Sequence, residues 1–407
     1  MNVLHIIPSM NPDSGGTSQG IRNIIPELEK LGIKNEVVCL DDPSDKFLTK
    51  DPFINTALGP SKGPWQYSSK LIPWLFENIG RFDVIIVNAL WLYHGYAFRK
   101  ALKKYQKAYG NGDVKTPKFF VMPHGMLDPY FQQAPERKIK ALRNWLYWKL
   151  IESKLVNTAD GMLFTCEAEL LLARKPFYPY HPKKEFNVGY GAEVPPVYND
   201  RMTSAFFEKC PEVKGQPYFL FLSRIHEKKG VDHLIEAYSN VLDTFENNGI
   251  DNATSVLPKL VIAGPGIETP FGKRIEELVA TSTKLHESVY FPGMLAGDAK
   301  WGAFYAAEAF VLVSHQENFG IAVVEALACG KPVLISKQVN IWHEIIEGGG
   351  GIVEDDTTLG AIKILKGWNK LTRDEIEAMG TNALRVYENY FRIETAAKKL
   401  KEVLNEY

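Results

Sequence analysis

Short apolar runs alternate with longer stretches in which apolar positions recur at helical spacing. In the first half, the runs NVLHIIP, NEVVCL, FDVIIVNA and TPKFFVMPHG have the length of strands. The stretch GIRNIIPELEKLG between the first two has the spacing of an amphipathic helix. Strands that alternate with helices in this way predict an α/β fold with a doubly wound parallel sheet.

The pattern stops at the proline-containing stretch AEVPPVYNDR and then begins again. Beyond it, YFLFLSR, KLVIAG, SVYFPG, AFVLVS and PVLIS are strand-length runs, each followed by a loop and helical sequence. The sequence therefore predicts two similar domains in series and a final amphipathic helix with a kink at Tyr390–Phe391. The predicted boundaries are 1–193 for the first domain, 194–216 for the linker, 217–385 for the second domain and 386–407 for the final helix.

Two glutamates occur in the apolar, glycine-containing stretch HQENFGIAVVEALACGKPVLIS. ENFG is typical of a turn and IAVVEALAC of a short helix, which Gly330 ends. The turn should lie at the carboxyl end of a parallel strand, where open α/β sheets bind ligands. Glu317, before the helix, and Glu325, on its second turn, would then face one crevice. The alternative is a capping carboxylate and a solvated surface glutamate.

The first glycine-rich loop contains Gly15, Gly16 and Gly20. This spacing differs from the G-x-G-x-x-G of dinucleotide-binding loops, which disfavours a nicotinamide site although Asp41 and Asp42 lie where a ribose-binding acid would. A pair of glycines still lets backbone N–H groups approach a phosphate or a sugar closely.

Basic residues follow the first strand of the second domain, in SRIHEKKG. Arg224, Lys228 and Lys229, beside a helix start, could neutralise a diphosphate; the alternative is a set of solvated loop charges. Because carboxylates bind vicinal hydroxyls, these cations together with the two glutamates indicate a nucleotide sugar.

Composition narrows the classes of protein. The 407 residues are 45% hydrophobic and 23% charged, as in ordinary globular enzymes, and the net charge of −1 disfavours nucleic acid as a partner. Four cysteines without a C-x-x-C pair predict reduced thiols. No signal peptide and no apolar run of spanning length is visible, so a cytoplasmic protein is expected.

SRIHEKKG, VIAGPG, FPGML and ENFGIAVVEALACGKPVL, in this order, resemble the second domain of the GT-B glycosyltransferases of family 4. Their most specific element is the E-x7-E pair, Glu317 and Glu325. The SGG loop and PHGMLDP resemble the first domain, and PHGMLDP is similar to members that build bacterial polysaccharides. The resemblance implies two Rossmann-like domains that face a central cleft, with the final helix crossing back to the first domain.

The resemblance also implies roles for individual residues. Glu325 would bind the ribose hydroxyls, Glu317 a hydroxyl of the donor sugar, and His124 the reacting sugar. For His124, a hydrogen bond that closes its loop is the alternative. The remaining implied contacts are Arg224 and Lys229 to the diphosphate, the backbone of Asn318, Phe319 and Gly320 to the sugar or diphosphate, Gly15 and Gly16 to the phosphates, and Met294 and Leu295 to the base.

One departure from the family pattern affects specificity. The usual glycine after the first glutamate is replaced by Asn318, which leaves the donor sugar open.

The sequence predicts transfer without a metal or cofactor. It contains no Asp-x-Asp and no His/Cys cluster at metal-ligand spacing. Arg224, Lys229 and helix N-termini would then stabilise the departing diphosphate. Retention of the anomeric configuration needs either a carboxylate nucleophile or attack by the acceptor on the face that the diphosphate leaves. We favour the second route, in which the diphosphate accepts the acceptor's proton.

The first domain, 1–193, is predicted to be the acceptor side. Within it, at 133–154, six basic residues are interleaved with Trp145, Tyr147 and Trp148. Such a helix could rest on the inner face of the plasma membrane and receive a lipid-linked acceptor. The alternative is that the aromatic residues belong to the core and the basic residues to a solvated face.

The expected activity is retaining transfer of a hexose, glucose or a related sugar from a UDP-sugar, to a glycan or lipid-linked glycan in polysaccharide biosynthesis. A sugar-nucleotide 2-epimerase of the same architecture is one alternative, and it would turn over donor without any acceptor. A non-catalytic subunit that binds a nucleotide sugar is the other, and it would bind donor without turnover.

Overall fold

The computed structural model describes residues 1–12, 15–109, 116–134, 137–247 and 257–406. The chain divides into two compact units. The first consists of Met1–Gly191 together with Ile393–Tyr407, and the second of Ala192–Arg392. None of the described helices is both long enough and apolar enough to span a bilayer.

The first unit is built on a parallel sheet whose described strands have the order β3-β2-β1-β4-β5-β6-β7. The strands consist largely of the apolar runs noted in the sequence, since a sheet covered on both faces buries both sides of its strands. Their bounds are Asn2–Ile6 (β1), Lys34–Cys39 (β2), Ile54–Ala57 (β3), Val84–Asn88 (β4), Lys118–Met122 (β5), Gly161–Phe164 (β6) and Glu185–Asn187 (β7).

Helices cover both faces of this sheet. One apolar core includes Leu75, Phe98 and Trp148, and another on different strand positions includes Phe120 and Leu400. The described helices are Gly16–Lys30 (α1), Leu71–Asn78 (α2), Tyr93–Tyr109 (α3), Tyr130–Gln133 (α4), Lys138–Tyr147 (α5), Ser153–Val156 (α6) and Glu167–Ala173 (α7), with a π-helical segment at Trp148–Glu152.

The second unit repeats the arrangement. Its described strands are all parallel and have the order β10-β9-β8-β11-β12-β13. Their bounds are Tyr218–Leu222 (β8), Lys259–Ala263 (β9), Val289–Gly293 (β10), Ala309–Leu312 (β11), Val333–Ser336 (β12) and Gly351–Glu354 (β13).

Helices again pack on both faces. Phe219 and Phe310 point to opposite faces, because Phe219 is level with Ala309 on the adjacent strand. The ring of Phe219 packs against that of Trp368, and the ring of Phe310 packs against that of Phe304. The helices are Asp200–Lys209 (α8), Val231–Asn247 (α9), Pro270–Ala280 (α10), Thr283–His286 (α11), Gly297–Ala306 (α12), Ile321–Ala328 (α13), Trp342–Glu347 (α14), Thr358–Trp368 (α15) and Arg373–Val386 (α16).

The α/β class with two doubly wound sheets is confirmed, and the domain boundaries differ from the predicted ones. The predicted linker, 194–216, contains α8, which packs closely on α12 and so belongs to the second unit. Asn199 caps this helix by accepting a hydrogen bond from the backbone N–H of Arg201 at 3.1 Å.

The predicted final helix, 386–407, is in fact two segments. A π-helical turn at Tyr387–Phe391 and the extended residue Arg392 separate α16 from the last helix, Ile393–Asn405 (α17). The kink predicted at Tyr390–Phe391 therefore lies in that turn. As expected, α17 returns to the first unit, where Leu400 and Leu404 pack with Leu28 of α1.

Candidate functional site

Sheet order locates the candidate site of the second unit. Because β8 and β11 are neighbours, the chain leaves them toward opposite sides of the sheet, and ligands of open α/β sheets bind at such a switch point. The loop after β8, 223–230, contains Arg224 and Lys229. The loop after β11, 313–320, contains Glu317. The basic and acidic motifs of the sequence thus lie on adjacent strand ends.

These two loops are bonded to each other. The backbone N–H of His315 and the hydroxyl of Ser314 both donate to the carbonyl of Lys228, at 2.8 and 2.9 Å. Gly230 makes this approach possible, since its φ is +66° and a Cβ there would lie 2.2 Å from the carbonyl oxygen of Val313. These hydrogen bonds therefore hold the two loops in a fixed position relative to each other.

Lys229 and Glu317 form an ion pair between the loops. Only 10% of the lysine side chain and 21% of the glutamate side chain are exposed. The backbone of Glu317 is held as well, with its N–H donating to Gln338 at 2.8 Å and its carbonyl accepting from Asn340 at 3.0 Å. The residues expected to bind the diphosphate and the sugar are thus in direct contact with each other.

Arg224 differs from Lys229. It is exposed, and no residue in the described ranges forms an ion pair with it. Its guanidinium, with five donors in a fixed plane, is therefore open to an anion at this strand end.

The start of α13 supplies the backbone groups named from the sequence. Gly320 precedes the helix with a φ of +77°, and a Cβ there would lie 3.3 Å from Cγ of Glu317. Phe319 is buried with its ring edge-on to Phe391 at 5.7 Å. Asn318 lies between Glu317 and Phe319 in this turn. The structure therefore groups Asn318, Phe319 and Gly320 beside Glu317.

Glu325 lies on α13 and pairs with a residue that the sequence did not indicate. Its carboxylate is 2.6 Å from Nζ of Lys300 on α12. Burial raises the pKa of Glu325 above its ordinary value, although the ammonium of Lys300 opposes the shift. Lys300 also lies over the ring of Trp301 at 4.5 Å. A ribose hydroxyl would have to share this carboxylate with Lys300.

Met294 and Leu295 follow β10 directly. Met294 is 70% exposed, whereas Leu295 is buried. Their contact with a base stays a prediction.

In the first unit, the corresponding switch point lies between β1 and β4. The glycine loop after β1 leads into α1, which begins at Gly16, and Gly15 has a φ of +99° with open space around it. The hydroxyl of Tyr190 donates to the carbonyl of Gly16 at 2.8 Å. Ser14 of the SGG motif lies outside the described residues.

His124 follows β5 and is held by Asn88 at the end of β4. The Asn88 amide donates to the carbonyl of Ile86 at 3.2 Å, so its oxygen is the atom 3.0 Å from Nε2 of His124. Nε2 therefore carries the proton and Nδ1 is an acceptor. Burial, with a smaller effect of His5, lowers the pKa of His124 to about 3, so the ring is neutral at physiological pH.

The backbone of His124 is strained, with a φ of +51°. Ala89 and Trp91, after the neighbouring strand β4, have φ values of +71° and +72°. Non-glycine residues in this region cost of the order of 1 kcal/mol each and cluster at functional sites. His124 thus makes the loop-closing hydrogen bond considered from the sequence, and its Nδ1 is still able to accept one from a ligand.

Both the sequence and the fold are similar to those of known glycosyltransferases. Residues 203–384 match the family model described as Glycosyl transferases group 1. An uncharacterized glycosyltransferase of Methanocaldococcus jannaschii is 30% identical over 42% of this chain and 40% of that protein. The D-inositol 3-phosphate glycosyltransferase of Corynebacterium urealyticum is 23% identical over 84% of this chain and 79% of that protein.

Among solved structures, HepE of Anabaena in complex with UDP and glucose is similar over the full length of both chains. The TM-score is 0.72 at 16% identity, a similarity that establishes the fold. The fold expected from the resemblance to the GT-B glycosyltransferases is confirmed, and residues 203–384 match the model of the Glycosyl transferases group 1 family.

Proposed function

We propose that this chain transfers a hexosyl group from a nucleotide sugar to a hydroxyl of a glycan or lipid-linked glycan, with retention of anomeric configuration and without a catalytic metal. One observation carries the proposal. At the switch point of the second sheet, an exposed Arg224 lies on the same bonded pair of loops as the Lys229–Glu317 ion pair. The segment that contains them matches a glycosyltransferase family.

The leaving diphosphate would be stabilised by these groups. Arg224 offers planar donors to phosphate oxygens, and the ammonium of Lys229 adds charge that Glu317 holds in place. Because negative charge on the diphosphate grows as the glycosidic bond breaks, such fixed cations favour the transition state over the bound donor. Glu317 would at the same time accept a hydrogen bond from a hydroxyl of the donor sugar.

His124 would orient the sugar and take no proton. With its pKa lowered to about 3 by burial and its Nε2–H bound to Asn88, the ring presents Nδ1 as a hydrogen-bond acceptor. A hydroxyl of the transferred sugar is the group that fits this acceptor. The acceptor's proton would then pass to the departing diphosphate, on the face where the new bond forms.

UDP and glucose are the proposed nucleotide and sugar. The support is that HepE, which has the same fold, was solved with UDP and glucose. Glu325 would hold the ribose, and the backbone near the exposed residue Met294 would face the base.

The acceptor would be presented at an anionic lipid surface by α5 and the π-helical turn after it. Ile139, Leu142, Leu146 and Leu150 expose 87, 61, 48 and 65% of their surface, which is unusual for a helix of a globular protein. The basic side chains around them are also exposed, namely Lys138, Lys140, Arg143, Lys149 and Lys154. Apolar residues surrounded by basic ones match the interfacial zone of a membrane with anionic lipids.

The aromatic residues of this segment divide between core and surface. Trp148 is buried against Phe177 at 4.9 Å, and Tyr147 accepts a hydrogen bond from Trp65. Trp145 is 47% exposed. The alternative considered from the sequence, that these aromatics belong to the core, therefore applies to Trp148 and in part to the half-buried Tyr147. Within 133–154, residues 135 and 136 lie outside the described part of the chain.

The function is tested by incubating the protein with UDP-, GDP- and ADP-hexoses and following both nucleotide release and the sugar by chromatography. We expect release of UDP that increases with added glycan acceptors and persists in EDTA. A donor epimerised at C2 without acceptor would identify the epimerase, and binding without turnover a non-catalytic subunit. Complete inactivation by EDTA that Mg²⁺ reverses would contradict the metal-free mechanism.

A further inference from the structure

A cluster of two histidines and an aspartate lies beside the candidate donor site. Asp232 and His233 are in the first turn of α9, and His315 is in the loop after β11. Each offers one ligand atom, and these atoms lie within 4.8 Å of one another. Residue spacing along the chain did not predict this cluster, because β9, β10 and β11 all lie between His315 and the other two residues.

Both imidazoles have a fixed tautomer. Nδ1 of His315 donates to the carboxylate of Asp356 at 2.9 Å. Nδ1 of His233 is 3.2 Å from the hydroxyl of Thr358, and that hydroxyl donates its proton to Glu236 at 3.1 Å, so His233 must be the donor in this contact. In the neutral form of each ring the proton is therefore on Nδ1, which leaves the lone pair on Nε2 for a ligand. Metal-binding histidines are usually held by such oxygen partners.

Asp232 provides an independent sign of a missing partner. Its Oδ1 is buried, and it has no hydrogen-bond partner among the residues that the structure describes. A buried carboxylate oxygen without a partner is costly, and a cation would remove that cost. The position near a helix N-terminus favours the negative charge of Asp232, but it does not account for two imidazoles directed by Asp356 and Thr358.

We infer that Asp232, His233 and His315 bind one divalent transition-metal ion, with Zn²⁺ the ion that their chemistry favours. Two imidazole nitrogens and one carboxylate oxygen are typical zinc ligands, and water would complete a tetrahedral site. The charge of the ion is balanced by Asp232 and by Asp356, which holds His315. None of the residues proposed to contact the donor is among the ligands.

The consequence is structural. His315 is bonded to Lys228 through its backbone N–H, and it lies two residues before Glu317. An ion between α9 and this loop would therefore tie together the two segments that carry Lys229 and Glu317. We expect it to stabilise the second unit, while transfer itself continues without it.

The test uses the full chain without a histidine tag, stripped of metal and titrated with Zn²⁺ in competition with a chromophoric chelator. We expect one Zn²⁺ per chain, and a visible absorption band of tetrahedral Co²⁺ when Co²⁺ replaces it. Asp356→Asn, which keeps the shape of the side chain, should weaken binding about 10- to 100-fold. His233→Gln and His315→Gln should weaken it further, and His286→Gln, at an exposed histidine on α11, should not.

Thermal unfolding gives a second readout that needs no variant. Zn²⁺ should raise the melting temperature of the wild-type protein, since a ligand that binds the folded state stabilises it. The inference is overturned if the wild type binds no stoichiometric Zn²⁺. It is equally overturned if the His233→Gln/His315→Gln protein, folded by circular dichroism, binds Zn²⁺ as the wild type does.

Discussion

At the scale of single residues, Arg224 and Lys229 carry the same charge in different surroundings, so their alanine variants should fail in different ways. Arg224→Ala should lower kcat about 100-fold, the scale for one transition-state stabilising group, with little effect on stability because Arg224 is exposed. Lys229→Ala should also lower kcat. In addition, it leaves the largely buried Glu317 unpaired and should cost up to about 3 kcal/mol of stability.

Turnover of the nucleotide sugar and thermal unfolding separate the two effects. Because the double variant Lys229→Ala/Glu317→Ala removes both charges, it should recover much of the stability but none of the activity. A normal kcat in Arg224→Ala would show that this guanidinium does not act on the leaving group.

The site could be predicted from sequence wherever its residues belong to one contiguous motif. Glu317 and Glu325 were visible because a short helix fixes their spacing. Lys300, the partner of Glu325, and Asn88, the partner of His124, come from other elements. Which side chain reaches across from another element depends on packing, and spacing along the chain does not reveal it.

At the scale of elements, α5 makes the clearest prediction about partners. The full-length protein should sediment with vesicles that contain anionic lipid and much less with neutral vesicles. Each basic residue near such a surface contributes about 1 kcal/mol, so Lys140→Ala/Arg143→Ala should weaken binding at least several-fold. Leu142→Ser/Leu146→Ser should weaken it on both kinds of vesicle.

Leu359→Ser is the matched control, because Leu359 is 62% exposed on a helix of the second unit. It should bind vesicles like the wild type. Equal sedimentation with neutral and anionic vesicles, or no effect of the α5 substitutions, would contradict the proposed lipid surface.

The π-helical turn after α5 predicts a pH dependence. It ends at the fully buried Glu152, whose Oε1 accepts a hydrogen bond from the backbone N–H of Trp91 at 2.8 Å. Burial raises the pKa of Glu152 to about 8 from an ordinary value of 4.5. The unfolded chain thus releases this proton before the folded protein does, and stability is lost as the pH rises from 4.5 through 8.

Glu152→Gln removes that loss. Its advantage in free energy of unfolding over the wild type should grow by about 3 kcal/mol between pH 5.5 and 8.5. Hydrogen exchange of peptides from the first unit, measured at both pH values, checks this. An advantage that does not change with pH would mean that Glu152 is ionised in the folded protein.

Strands and helix ends were predictable where the chain itself carries the signal. The apolar run YFLFL forms β8. Gly330, which was expected to end the helix after ENFG, follows α13 with a left-handed φ of +67°. The prolines of AEVPPVY indicated a linker, and α8 was therefore not predicted. The N-cap residue Asn199 was the sequence signal for this helix. The break at Arg392 was not predictable in detail, because the π-helical turn before it depends on the buried rings of Tyr387 and Phe391.

At the scale of the whole molecule, the chain repeats one topology in two units, and each has a switch point at its first strand. His124 belongs to the first unit, whereas Arg224, Lys229, Glu317 and Glu325 belong to the second. If nucleotide binding is a property of the second unit, substitutions in the two units should separate binding from transfer.

Titration calorimetry of the full chain with UDP tests this division most directly, with wild type, Glu325→Ala and His124→Ala compared. Glu325→Ala loses a charged hydrogen bond to the ribose, so its binding of UDP should be weaker by roughly 1.5–3 kcal/mol, or about one to two decades in Kd. His124→Ala should bind UDP within about twofold of the wild type while transfer is severely reduced, since His124 is proposed to contact only the sugar. Unchanged UDP affinity in Glu325→Ala, or loss of UDP binding in His124→Ala, would contradict the assignment of nucleotide binding to the second unit.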